Sequence, residues 1–397
     1  MSRYRLSPTP VQEAALAEHC GHARFVWNLA VEQHSYWKPG RKSAPGFAEQ
    51  CRQLTEARLE FEWLRNGSII VQQQALKDFA QAMANFFGTT HRKPTWRKRG
   101  RGDGFRIVAV KPGDVRRLSR HVGEVRVPKV GWVRFRWSRA VSGDVKSYRI
   151  TRDAAGRWHV AFAAVPESIP APGTGEVVGV DRGVTVSAAL STGGVETVPG
   201  LREGEKDRLL RLLRKLARAQ RGSNRRGRVK AAVARLKARE SDRRKDWVEK
   251  TSTRLARAFD VIGVEDLKIL DMARSARGTL EMPGTNVRQK AGLNRGVLAA
   301  GWGRLVTRLE QKAPGRVVKV SPRFTSQICN ACGNRAPENR ESQAVFRCRA
   351  CGHQANADVN AARNIRDIAA GRAVNARGGD PVAGPVNREP QLVLLSG

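Results

Sequence analysis

Cys329 and Cys332, then Cys348 and Cys351, form two C-x-x-C pairs fifteen residues apart and account for four of the six cysteines in the chain. Paired thiols at this spacing are the pattern of a four-sulfur zinc ribbon. Gly333 and Gly352 directly follow the pairs and supply the backbone freedom that each tight turn needs. Two disulfides are the alternative, and they require an oxidising compartment. The sequence opens "MSRYRLSPTP" with no apolar signal segment and contains no membrane-spanning run, so reduced thiols around zinc are expected. Four thiolates close the coordination shell and leave no position for water, which makes the expected Zn2+ structural. Cys20 and Cys51 stand alone in helical pattern and are expected as buried free thiols.

Three acidic residues carry the second chemical signal. The apolar run of "EVVGVDRG" ends in Asp181, the run Val261 to Val264 delivers Glu265, and Asp358 lies at the start of the helical pattern "VNAARNIRDIAA". Each has an ordinary explanation alone: Asp181 could pair with Arg182, Glu265 could end its strand, and Asp358 could cap its helix. Together they are three isolated carboxylates delivered at strand ends or a helix start, and a carboxylate in a buried strand is costly unless a cation meets it. The chemistry that uses such a set is phosphodiester hydrolysis with two Mg2+ ions about 4 Å apart, since hard cations take carboxylate oxygens. No Ser/His or Cys/His arrangement stands out among the seven histidines. The acids lie far apart in sequence, so a mixed sheet must gather them: a three-strand meander, a helical insertion, a fourth strand and a closing helix.

Charge narrows the partner. Seventy-three Lys and Arg against 36 Asp and Glu give a formal net charge of +37, which points to an extended polyanion. No basic amphipathic helix with a large aromatic face and no lipidation signal supports a membrane partner. With 397 residues, 40% of them hydrophobic, the chain can form two or three domains with real cores. A short strand at "YRLSP" precedes a helix opened by Thr9 and Pro10, in which Ala23, Val26, Trp27 and Ala30 keep the helical period. Ala75, Phe79, Ala82 and Phe86 form a second stripe, read as core packing. "HRKPTWRKRGRGDG" is a basic loop in which Trp96, Arg97, Lys98 and Arg99 are either a solvated surface or a grip on a nucleic-acid strand. From Glu124 the period becomes two: Val133, Phe135 and Trp137 face one way, Arg134 and Arg136 the other, giving an antiparallel sheet or barrel with outer arginines. "PESIPAPGTG" reads as a linker, and the tail, rich in Gly, Pro and Asn, is expected to be disordered from about 371.

The strings "GVDRG", "VIGVEDLKI", "GWGRL", "SPRFTSQICNACG" and "NADVNAARNI" occur in an order that resembles TnpB proteins of bacterial insertion sequences, relatives of the type V CRISPR effectors. "LSPTPVQEAALAEHCGHARFVWNLA" and "KPTWRKRG" are similar to the N-terminal segment and basic loop of the same family. The resemblance implies a multidomain α+β chain with an N-terminal helical and β-barrel lobe, REC-like and WED-like. An RNase H-like (RuvC) nuclease domain with an inserted zinc ribbon follows. The implied boundaries are 1–10 with 91–168 for the barrel, 11–90 for the helical domain and 173–397 for the nuclease, with the ribbon at 322–355. It further implies that Asp181, Glu265 and Asp358 hold two catalytic Mg2+ ions and that the ribbon helps place Asp358. Many relatives carry a second acid where this chain has Asn356.

Similar proteins bind a guide RNA from the element's end, recognise a short adjacent motif and cleave double-stranded DNA, with base pairing reading the sequence. The same resemblance leaves two alternatives: a compact type V effector with an array-derived guide, and a guided repressor that no longer cuts. The repressor would be expected to lack an acid. Between the first and second acids, Leu209, Leu212, Leu213 and Leu216 form one apolar stripe and Val229, Val233 and Leu236 another, interrupted at Gly222. The expectation is a basic helical hairpin, with Arg225 and Arg226 among its outward charges, against guide or target backbone. The expected location is the bacterial cytoplasm, in association with the nucleoid, with no membrane partner.

Overall fold

Thr9 sets the start of the first long helix. Its hydroxyl accepts the Gln12 N–H at 3.3 Å while the Gln12 amide oxygen accepts the Thr9 N–H at 3.1 Å, and Pro10 occupies the first turn, where no N–H is required. The computed structural model describes residues 2–36, 43–141, 145–163 and 167–376. The chain divides into two units, one formed by residues up to 166 together with 203–238, the other by 167–202 and the residues from 239 on. The fold is a mixed α+β one.

In the first unit, strand β1 (Ser2–Arg5) precedes α1 (Pro10–Ser35), followed by α2 (Phe47–Glu60), α3 (Glu62–Asn66) and α4 (Ile69–Phe87). Ala23, Val26, Trp27 and Ala30 are buried, and Trp27 meets Phe79 of α4 edge-on at 5.5 Å, so both apolar stripes are core. The strands β2 (Gly104–Val108), β3 (Val115–Arg117), β4 (Val122–Val127), β5 (Gly131–Arg136), β6 (Ser147–Arg152) and β7 (Trp158–Phe162) build two antiparallel sheets. Their orders are β1-β7-β6-β2 and β3-β4-β5, and a bridge between Leu6 and Phe135 joins them. Val133 and Phe135 are buried while Arg134 and Arg136 are exposed, as the alternation predicts. The alternation read from Glu124 onward misses β2 and β3. In β2 only Phe105 and Ile107 mark the inner face, too short a pattern to separate from the glycine-rich loop before it.

In the second unit, β8 (Val177–Asp181), β9 (Ala188–Leu190) and β10 (Val195–Glu196) form the anticipated meander. Helices α5 (Glu203–Arg218) and α6 (Asn224–Ala258) follow; α5 and the first part of α6 belong to the first unit. Then come β11 (Val261–Glu265), α7 (Ile269–Met272), α8 (Val287–Ala300), α9 (Trp302–Lys312), β12 (Val317–Val320), β13 (Val345–Arg347), β14 (Gln354–Asn356) and α10 (Ala357–Ala376). The sheet has the order β10-β9-β8-β11-β12, with β11 parallel to both β8 and β12. Strand β12 is a fifth member that the sequence pattern does not reveal. The stretch read as a linker is tied down at 169–175: the Ile169 N–H donates to the Lys312 carbonyl at 2.7 Å and the Gly173 N–H to Asp260 Oδ1 at 2.9 Å. Helix α10 continues through 376, where disorder is expected from about 371; the remaining tail lies outside the described residues.

Helix α10 lies directly on the sheet because two glycines admit it. A Cβ added to Gly179 of β8 would sit 1.9 Å from the Ala362 carbonyl oxygen, and one on Gly263 of β11 would sit 2.7 Å from the Ala369 Cβ. The first of these neighbours is backbone, which cannot rotate away. Gly179→Ala is therefore expected to destabilise the second unit by about 3 kcal/mol or more, measured as a lowered denaturant midpoint. Gly200→Ala, in the same unit and with open space around the added carbon, should leave that midpoint unchanged.

Candidate active site

The register places the first two acids side by side. Val180 pairs with Val264 in the parallel β8/β11 ladder, so Asp181 and Glu265 follow as the next residues of strands about 4.8 Å apart. Alternate residues of a strand share a face, so Asp181 projects on the side of Gly179 and Glu265 on the side of Gly263, the side covered by α10. Asp358 precedes Ala362 by one helical turn and therefore lies on the sheet-facing side of α10. Asn356 caps that helix: its Oδ1 accepts the N–H groups of Asp358 and Val359 at 3.0 and 3.1 Å. The Asp358 carboxylate is not needed as a cap.

Electrostatics registers the convergence. Burial, then the negative charges of Glu265 and Asp358, push the Asp181 carboxyl up to about 7, against the opposing effects of the Arg182 N–H and the Arg340 charge. Burial also raises Glu265, offset by the Thr325 hydroxyl, which donates to Glu265 Oε1 at 2.8 Å. Asp358 is raised by burial and pulled back by Arg340, whose Nη2 lies 3.2 Å from Asp358 Oδ1. Three acids with upward-shifted protonation, Glu265 buried and Asp181 and Asp358 half-buried, form a site that a divalent cation would relieve.

Thr325, Arg340 and Trp302 stand around the acids without being singled out by sequence reasoning, and Arg182 takes a role other than the pairing considered for it. Thr325 lies within a quoted motif, but its partner is sixty positions away in the chain. Arg340 reaches Asp358 because the neighbouring Asn339 is locked in place, its amide donating to the Gln327 carbonyl at 3.0 Å and accepting the Arg349 N–H at 2.9 Å. Arg182 does not pair with Asp181 through its guanidinium, which instead donates to the Glu265 carbonyl; only its backbone N–H reaches Asp181 Oδ1, at 2.8 Å. Trp302 Nε1 donates to the Gly183 carbonyl at 3.1 Å and holds the loop that leaves Asp181.

The four ribbon cysteines converge as well. Cys329 Sγ is 3.8 Å from Cys351 Sγ and Cys332 Sγ is 3.5 Å from Cys348 Sγ, and all four sulfurs lie within 4.8 Å of one another. A tetrahedral zinc with Zn–S near 2.3 Å puts its sulfurs about 3.8 Å apart, so the donor set fits that ion; disulfide sulfurs would lie near 2.05 Å. Gly333 and Gly352 adopt φ of 76° and 71°, and each donates its N–H back to the carbonyl of the first cysteine of its pair. Asn360 and Asn364 of α10 donate to the Ile328 carbonyl, both at 2.8 Å, and so tie the ribbon's first turn to the helix that carries Asp358. Cys20 is a buried thiol, pushed up to about 12 by burial, and Cys51 is half-buried.

The residues expected at nucleic acid are placed unequally. Trp96, Lys98, Arg99, Arg136 and Arg225 are exposed. Arg97 stacks its guanidinium on the Trp27 ring at 3.6 Å, and burial lowers it to about 10. Arg134 approaches Glu124 at 3.4 Å. Arg226 donates to the Leu216 and Ala219 carbonyls at 2.6 and 2.8 Å, closing the turn between α5 and α6. Among the described residues, no helix is long and apolar enough to cross a membrane.

The family described as "Probable transposase" (OrfB_IS605) matches residues 159–276, the "Cas12f1-like, TNB domain" matches 302–365, and a "Helix-turn-helix domain" of the OrfB_IS605 type matches 2–42. The chain is 38% identical over 99% of its length to "Putative RNA-guided DNA endonuclease InsQ" of Escherichia coli (strain K12), covering 97% of that protein. It is 30% identical over 95% of its length to a second "Putative RNA-guided DNA endonuclease", from Streptomyces pristinaespiralis, covering 90% of it. Its fold is similar to the protein in "Cryo-EM structure of the Cas12f1-sgRNA-target DNA complex", with a TM-score of 0.53 at 13% identity, over 90% of this chain and 82% of the other. The chain belongs to the TnpB family, related to the type V CRISPR effectors.

Two outcomes follow for the metal sites. The raised Asp181 carboxyl means that the folded chain holds this proton more tightly than the unfolded chain, so the stability it contributes is complete below about pH 4 and is lost as the pH rises through about 7. In EDTA, Asp181→Asn should therefore melt several degrees above the parent at about pH 8, with the gap closing on acidification; a pH-independent gap would contradict this. Elemental analysis should find about one zinc per chain, lost in Cys348→Ser together with ribbon stability. Protein purified without zinc would refute the ribbon assignment.

Proposed function

We propose that this protein is an RNA-guided DNA endonuclease, a Mg2+-dependent phosphodiester hydrolase whose active site is Asp181, Glu265 and Asp358. One observation carries the reading: three carboxylates from β8, β11 and α10 gather at one end of a mixed sheet, where Glu265 and Asp358 add to burial in raising the proton affinity of Asp181. The sheet order, a meander followed by two parallel strands with a closing helix, supports an RNase H-like (RuvC) nuclease domain, and the four cysteines support a zinc ribbon inserted before the third acid. The partners we propose are a guide RNA and double-stranded target DNA bearing a short adjacent motif, in line with the names of the relatives and the charge of +37. The setting is the bacterial cytoplasm, at chromosomal DNA.

The residues divide the work. A pair of Mg2+ ions bound there would supply an activated water and stabilise the departing oxygen. Asp181, Glu265 and Asp358 would hold these hard cations through carboxylate oxygens. Thr325 fixes Glu265 by occupying Oε1, which orients the other oxygen. Arg340 neutralises Asp358 and places a positive charge beside the acids, where a phosphate would enter. Arg182 and Trp302 hold the backbone on either side, so the carboxylates keep their spacing.

A cleavage-deficient repressor is disfavoured because all three acids are present. Asp181→Ala, Glu265→Ala and Asp358→Ala should each reduce Mg2+-dependent DNA cleavage by about a thousandfold or more while retaining RNA association, measured by cleavage assay and by co-purifying RNA. Undiminished cutting by any one variant would remove that residue from the site.

A further inference from the structure

Helix α1 has a second face. On the side away from its buried stripe, Phe25, Asn28, Leu29 and Glu32 recur at helical spacing and, with Trp96, line a groove of about 300 Å³. Phe25, Leu29 and Trp96 keep 44%, 41% and 54% of their surface exposed. Their exposure is not slack at a loop tip, because α1 grips the backbone on both sides of Trp96. Trp27 Nε1 donates to the Thr95 carbonyl at 3.0 Å. The Asn28 amide exchanges two hydrogen bonds with the Arg97 backbone, at 3.1 and 2.7 Å, and the Arg97 guanidinium lies on the Trp27 ring. With the backbone held on both sides of Trp96, the indole is anchored beside the groove. An aromatic surface ordered before binding loses little further freedom when a flat ligand stacks on it.

The surroundings select the ligand. Arg92, Lys93, Lys98, Arg99 and Arg101 flank Trp96 and are exposed, with no acidic residue between His91 and Gly102, so a phosphate chain is attracted along the loop. Within the groove the polarity reverses. Asn28 is occupied by the loop, and Arg24 is paired with Asp103 at 3.0 Å. Glu32 offers a carboxylate, an acceptor-only group whose Oε1 takes the Tyr36 hydroxyl at 3.2 Å. A phosphate would be repelled there, whereas the edge of a base bearing an amino group would be accepted.

We propose that this groove holds one unpaired nucleobase of a bound strand, stacked on Trp96 beside Phe25 and Leu29, with Glu32 favouring amino-bearing bases over uracil or thymine. The proposal rests on the nucleic-acid reading above and adds to it a defined base site with a chemical preference. The strand could be RNA or DNA, which share this chemistry.

The test uses the purified full chain, freed of nucleic acid, with fluorescent oligocytidine and oligouridine of about 12 nucleotides in ribo and deoxy forms, the deoxy pair being oligo-dC and oligo-dT. The parent should bind cytosine runs several-fold tighter than uracil or thymine runs, and the better of the ribo and deoxy arms identifies the strand. Trp96→Ala should weaken cytosine-run binding about tenfold or more with an unchanged dependence on salt, since the indole carries no charge. Trp96→Phe should restore most of the affinity, and Glu32→Gln should erase the cytosine preference. Equal affinity of Trp96→Ala and parent, or a preference that survives Glu32→Gln, overturns the base site while leaving the nuclease reading intact. A parent that binds none of the strands overturns both the base site and the nucleic-acid reading.

Discussion

The contact between α10 and the sheet is the constraint on which the second unit depends. A helix can approach β8 and β11 this closely only where the strands present no side chain, and Gly179 and Gly263 provide that gap. Two residues further along each strand, on the same face, stand Asp181 and Glu265. One turn before the point of contact on the helix stands Asp358. The glycines and the acids are thus parts of one device: the first bring the backbone in, and the second are carried to the place where it arrives.

Such a gathering opposes itself electrostatically, and the surrounding residues share the load. Asp181 is pushed up to about 7, with burial and both neighbouring charges acting against its ionisation. Thr325 and Arg340 partly satisfy Glu265 and Asp358, and both come from the segment between β12 and β14 that also carries the cysteines. The same segment is fastened to α10 through Asn360 and Asn364, so an ion binding the four sulfurs would stiffen the support of the third acid from two directions. A largely enclosed site of this kind is held in place against its own repulsion by the fold, which favours cation binding.

What could be read from the sequence was whatever chemistry restricts to a few residue types. Two C-x-x-C pairs at this spacing have few other uses, and an acid at the end of an apolar strand is conspicuous because it is costly. Strict alternation around Phe135 exposed the arginines of β5 for the same reason. Partnerships between distant residues were not legible: nothing in "SPRFTSQ" says that its threonine serves Glu265, and nothing marks Arg340 among its many equals. Short strands such as β2 and β12 carry too few alternating positions to register. The basic loops show the limit most clearly. Arg97 and Arg226 look like their neighbours in sequence, yet each guanidinium is engaged within the protein, on Trp27 and on the carbonyls closing the α5–α6 turn. Composition counts charges; only packing says which of them are free.

Diffraction from crystals soaked with Mn2+, recorded at the manganese absorption edge, tests the central claim most directly. The account predicts anomalous peaks within about 2.2 Å of carboxylate oxygens of Asp181, Glu265 and Asp358, bridging strand ends and helix start. Manganese bound elsewhere, with these three side chains too far apart to share it, would contradict the account.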